Sequence, residues 1–161
     1  MMRQTRSRGL SSLIGLLTAF AVGTTLAQAA DPMNGTWKLN LAKSTFDPGP
    51  APKSQTVTIA GTDAARKITV DVTPATGDAQ HWQVSGGAGV SLPVVGNNPN
   101  ADAYVIKRVN ATSLEAQYMK GGRPTLKQTA VVSADGKTLT VTATGTNAQG
   151  STVHNVAVYD R

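Results

Sequence analysis

Two histidines, no cysteine and few aromatic residues bound the chemistry open to this chain. His81 and His154 alone do not make a zinc site, which needs more nitrogen or sulfur ligands at close spacing. Neither stands beside a carboxylate in sequence. A role in acid–base catalysis therefore requires the fold to bury one of them against an Asp or Glu inside a cavity. The chain has no Gly-x-Ser-x-Gly elbow, phosphate-binding loop or acidic pair, the apparatus of nucleophilic, phosphoryl and glycoside chemistry. Gly86-Gly87-Ala88-Gly89 leads into no helical pattern and reads as a flexible loop, not a dinucleotide cradle. No metal, cofactor or catalytic residue is expected. What remains is binding, for which Trp82, Tyr104 and Tyr118 offer apolar faces with one polar handle each. The competing expectation is that these three rings only fill a core.

Positioning these rings falls to a series of short alternating segments. In Asn34-Gly35-Thr36-Trp37-Lys38-Leu39-Asn40-Leu41 the residues Trp37, Leu39 and Leu41 alternate with Thr36, Lys38 and Asn40, the period of a strand with one buried face. The indole of Trp37 makes a floor onto which later strands pack. Prolines 48, 50 and 52 then remove backbone donors from the stretch 44–53, which is expected as a loop, with residues 46–53 over the mouth of any cavity. Val57 and Ile59, the turn Gly61-Thr62-Asp63, and Ile68, Val70 and Val72 form a hairpin. After a turn at Pro74 to Asp78, His81 to Val84 sets Trp82 and Val84 on one face and His81 and Gln83 on the other. Residues 86–100 are rich in Gly, Pro and Asn, but Val90 to Val95 is apolar enough for a short strand interrupted at Pro93.

From Tyr104 the alternation sharpens. Strands are expected over Tyr104 to Val109, Leu114 to Met119, Leu126 to Val132, Leu139 to Ala143 and Val153 to Tyr159. The turns between them fall at Asn110 to Ser113, Gly121-Gly122-Arg123-Pro124, Ala134-Asp135-Gly136-Lys137 and Asn147 to Gly150. No stretch has sustained helical periodicity, and residues 30–161 hold 17 threonines, a composition suited to strands. The expected fold is an all-β, antiparallel up-and-down meander barrel of eight to ten strands, with a β-sandwich as the alternative. Parity favours ten, because an even number lets the last strand lie antiparallel to the first. The barrel should then close between the Val153 to Tyr159 strand and the Trp37 strand.

Compartment and partners follow from the ends and the charge. Arg3, Arg6 and Arg8, the uncharged run from Gly9 to Leu26 and the small-residue site Ala27-Gln28-Ala29 read as a secretory signal peptide over residues 1–29, cleaved after Ala29. A single domain over residues 30–161 is expected to be secreted or periplasmic, monomeric and without stable membrane insertion. Removing the three leader arginines lowers the formal charge from +6 to +3, and no Lys/Arg block exceeds two residues. Nucleic acid is not an expected partner.

Gly35-Thr36-Trp37 resembles the Gly-x-Trp signature of the first lipocalin strand, and Gly35-Thr36-Trp37-Lys38-Leu39 is similar to the opening of the fatty-acid-binding proteins. Near the end, Tyr159 matches the tyrosine of the Arg-x-Tyr pair that meets the ligand carboxylate in the latter family, with Ala157 at the arginine position. Residues 30–161 as a whole resemble small secreted bacterial lipocalin-like proteins. The match runs through Gly-Thr-Trp-Lys-Leu-Asn, Pro48 to Ser54, Val132 to Lys137 and Asn155 to Asp160. The resemblance implies a calycin-type barrel whose floor and closure involve Gly35, Trp37 and Arg161, with Arg161 stacked beneath Trp37, and it adds Tyr159 to the candidate ligand contacts. The expected function is non-catalytic binding of a small, apolar ligand. Two other readings are a cell-envelope interaction module with a filled barrel and a small barrel enzyme using His81 or His154.

Overall fold

Threonine and β-branched aliphatic residues alternate with inward apolar side chains along almost every segment, and a pleated, half-buried surface is where such residues fit. The computed structural model describes residues 30–161; the expected leader lies outside the described residues. Eleven strands run in chain order: β1 Gly35–Leu39, β2 Ser54–Thr62, β3 Ala65–Thr73, β4 Gln80–Gly86, β5 Ser91–Pro93, β6 Val95–Gly96, β7 Ala103–Asn110, β8 Ser113–Lys120, β9 Arg123–Val132, β10 Thr138–Thr146 and β11 Thr152–Asp160. They form one antiparallel sheet in the order β5-β7-β8-β9-β10-β11-β1-β2-β3-β4-β6. This is an all-β meander in a nearly closed barrel, and the sandwich alternative is set aside.

The first and last strands meet as parity requires. Lys38 pairs with Asp160 and Leu39 with Tyr159, while β1 pairs on its other side with β2 from Gly35–Ile59 to Lys38–Thr56. The strand count exceeds ten because the strand expected around Val90 to Val95 is split. Its first part, β5, pairs with β7 through Leu92–Tyr104. After the single residue Val94 its second part, β6, pairs with β4 through Trp82–Gly96. One short segment thus serves both edges of the sheet and draws the ring together. Proline at 93 lacks a ladder donor, which suits the place where the chain changes partners.

Two boundaries depart from the expected pattern. Leu41 is not inside but 45% exposed. The chain leaves the sheet at Asn40, whose side-chain oxygen accepts the Lys43 N–H and caps a 3₁₀ turn over Leu41–Lys43. At the other, Arg123 and Pro124 belong to β9 and not to the turn, which the two positive-φ glycines Gly121 and Gly122 make alone.

The core is the inner face of the barrel. Trp37 and Met33 are fully buried, and the Trp37 indole N–H donates to the Met33 carbonyl at 3.0 Å. Met33 thereby plugs one end. The opposite end is ringed by the loops at residues 44–53, 74–79, 97–102 and 147–151, and it stays open.

Candidate functional site

The open end is a pocket of about 390 Å³. That volume lies within the roughly 300–1,000 Å³ of ordinary small-molecule sites. Phe46, Pro48, Pro50 and Pro52 form one side of the rim. Their loop is strapped to the barrel wall: Thr45 and Val156 exchange backbone hydrogen bonds at 2.8 Å, the His154 N–H donates to the Asp47 carbonyl at 2.7 Å, and the Asp47 N–H donates to the Asn155 side-chain oxygen at 2.9 Å. Seen from the sequence, these contacts continue the closure of β1 on β11 after the 3₁₀ turn.

Below the rim, two cross-strand rows face each other. Gln55 on β2, Val72 on β3 and Gln80 on β4 are in register. On the far wall Gln128 on β9, Ala143 on β10 and Asn155 on β11 are in register too. All six line the mouth. Each row sets an amide on either side of an apolar residue, with the amides two strand spacings or roughly 9–10 Å apart.

The floor of the mouth is aromatic. Trp82 and Tyr118 line both the mouth and a smaller space beneath it, whereas Tyr104 and Tyr159 line only the inner space. The inner space measures about 70 Å³, room for a few water molecules at most. Tyr104 and Tyr118 stack with ring centroids 4.0 Å apart. The Tyr104 hydroxyl accepts from the Trp82 indole N–H at 3.1 Å and from the Asn98 side-chain amide at 2.8 Å. Both acceptor positions of that hydroxyl are thereby taken. Burial drives the acid strength of all three phenols down: Tyr104 and Tyr159 titrate far above the ordinary tyrosine value, and the neighbouring Tyr104 adds to the effect of burial on Tyr118. As neutral groups they offer hydrogen bonds and apolar area, not charge.

The closed end carries the charges. Arg66, only 3% exposed, donates to Asp31 and Asp63 at 2.7 Å each. Arg108 reaches the same two carboxylates, Asp63 at 2.7 Å and Asp31 as well. Both arginines occupy inward positions of their strands, Arg66 two before Ile68 and Arg108 two after Ile106. For Asp31, burial works against ionisation, but the Arg66 hydrogen bond, the Met33 N–H and the two guanidinium charges outweigh it and hold the carboxyl below the usual range. For Asp63 the Arg66 hydrogen bond is the largest influence and lowers it likewise. Nearby, the Arg161 guanidinium lies 4.4 Å from the Trp37 ring centroid and donates to the Pro32 and Asn34 carbonyls at 2.8 Å. A Cβ on Gly35 would sit 3.1 Å from the Arg161 Nε, so the glycine lets that stack approach.

Neither histidine lies inside the barrel. His154 is exposed on β11, and His81 faces the outer wall. There its Nδ1 is 2.6 Å from an Asp71 carboxylate oxygen, both side chains being about three-fifths exposed. Of the candidate ligand contacts, Trp82, Tyr104, Tyr118 and Tyr159 converge on one column of space, and the first and third reach the mouth. Sequence reasoning did not single out Gln55, Gln80, Gln128 and Asn155. The signal was there: each lies two residues from an inward apolar residue, Val57, Trp82, Leu126 and Val153 respectively.

Neither the models of known protein families nor the curated proteins include a match to this sequence.

Proposed function

We propose that this chain is an extracytoplasmic, lipocalin-like binding protein that takes one small molecule at the open end of its barrel, as a monomer and without chemistry on it. The observation that carries the reading is the contrast between a mouth of about 390 Å³ and an inner space of about 70 Å³. A guest rests on Trp82 and Tyr118 under the proline strap and does not sink to the barrel centre. The leader expected over residues 1–29 and the stack of Arg161 on Trp37 support the lipocalin-like part.

Ala143 is a small residue on the mouth wall and tests this directly. Ala143→Phe fills the mouth without touching the closed end, so it should abolish any binding detected by tryptophan fluorescence or thermal shift while the protein still folds. Equal binding by the variant refutes a mouth site.

A second reading, an envelope interaction module, draws on different observations. The inner space is nearly filled, and Val90 and Val95 beside the split strand are 56% and 59% exposed. It predicts that Val90→Ser with Val95→Ser removes a protein partner and leaves the mouth's binding intact.

A further inference from the structure

Resting on the mouth as the binding site, we infer that its ligand is an uncharged, polyhydroxylated ring, a neutral sugar, and not a carboxylate-bearing or wholly apolar guest. The whole chain carries 24 Lys, Arg, Asp and Glu side chains, yet none of them lines the mouth. The exclusion is local and sharp. Asp47 separates Phe46 from Pro48, Lys53 follows Pro52, and Lys127 separates Leu126 from Gln128, but each points away from the space its neighbours enclose. A carboxylate or phosphate desolvated there meets no cation, which makes its transfer from water costly.

The polar groups the mouth does offer are neutral: six side-chain amides together with the hydroxyls of Thr76 and Tyr118. The Gln55 and Gln80 side chains make no hydrogen bond among the described residues, and Asn155 uses its oxygen for the Asp47 N–H while keeping its NH₂ group free. An amide both donates and accepts, and so does a hydroxyl. Two walls that each present amide, apolar residue, amide therefore match a ring whose hydroxyls radiate from an apolar face. A wholly apolar guest would bury Gln55 and Gln80 without partners, which is unfavourable. A flat heterocycle would need an open slot between aromatic rings. Here Tyr104 and Tyr118 stack on each other, and Trp82 and Tyr118 are each only 7% exposed.

Titrate the purified full-length protein, freed of bound material by unfolding and refolding, with glucose and cellobiose, with glucuronate and glucose 6-phosphate, and with oleate and retinol. Calorimetry and tryptophan fluorescence serve as readouts. The expected result is saturable binding of a neutral sugar, at least tenfold weaker binding of its charged counterparts, and roughly tenfold loss in Gln55→Ala or Gln80→Ala, the scale of one hydrogen bond. His81→Ala, on the outer face of β4, should leave affinity unchanged and reports on fold integrity. Preference for oleate, retinol or a charged sugar, abolished by Ala143→Phe, overturns the ligand class and leaves the mouth site standing. No binding by any of the six compounds overturns the inference and counts against the mouth site as well.

Discussion

Asp31→Ala is the substitution whose cost follows most directly from the structure. Asp31 binds two arginines at once, and one of them, Arg66, is 3% exposed. Breaking a buried ion pair by deleting one partner costs about 3–5 kcal/mol when the survivor is left alone. Here Asp63 still holds both guanidinium groups but is itself 43% exposed, so the loss should fall lower, at about 2–3 kcal/mol. For a chain of this size that corresponds to a melting point lower by roughly 6–15 °C. The sign of the pH dependence is fixed by the lowered Asp31 and Asp63 values. A carboxyl whose folded pKa is depressed contributes stability above its unfolded value of 3.8, and loses that contribution as pH falls through the folded value. Urea unfolding followed by tryptophan fluorescence should therefore show the full gap between native and variant at pH 7 and a progressively smaller one as pH falls below 3.8. Asp31→Asn removes the charge and retains an oxygen for the Met33 N–H, so it should recover only a minor part. A loss below about 0.5 kcal/mol at pH 7, or a gap that does not shrink as pH falls below 3.8, refutes the claim that these ion pairs hold the closed end.

Four further outcomes test other parts of the fold. Tyr104→Phe strips the acceptor from two buried donors, the Trp82 indole and the Asn98 amide, and should cost about 2–4 kcal/mol. Tyr159→Phe, whose hydroxyl makes no hydrogen bond among the described residues, should be nearly neutral by the same denaturation assay. Gly96→Ala would place a Cβ 2.2 Å from the His81 carbonyl at a φ of +114°, so it should prise β6 from β4. We expect a loss of at least 1–3 kcal/mol, roughly the cost of such backbone strain, and faster amide exchange in Gln83 and Val95. Arg161→Ala removes the guanidinium over Trp37 together with its two carbonyl contacts; a loss of about 1–2 kcal/mol and a shift in Trp37 emission should follow.

The barrel was largely legible because its strands obey a period of two almost without exception. Trp82 and Val84 inward, His81 outward, and the Asp135-Gly136 hairpin all follow from alternation and turn chemistry alone. Parity led to the pairing of β1 with β11, and the break at Pro93 led to the divided strand. What alternation does not reveal is where an inward position ceases to be core. Gln55 and Gln128 sit on the same faces as Val57 and Leu126, and only the tilt of strands around the ring tells that they have risen to the rim. Arg66 and Arg108 are the counterpart at the closed end. In the sequence they stand as short basic pairs with Lys67 and Lys107, and nothing local marks which member turns inward against Asp31, 77 residues from Arg108. The inner volume was the least legible feature, since it depends on how Tyr104 and Tyr118 lie against each other.

Asp31 and Arg161 leave the barrel at the same pole, the one stoppered by Met33, and the proline strap lies at the other. The molecule is therefore polar in the sense of a cup with its stem at the base. An attachment made at the Met33 pole, on a sensor chip or a bead, presents the rim outward and unobstructed. A fluorophore placed on the 74–79 or 147–151 loop reports from the opposite side.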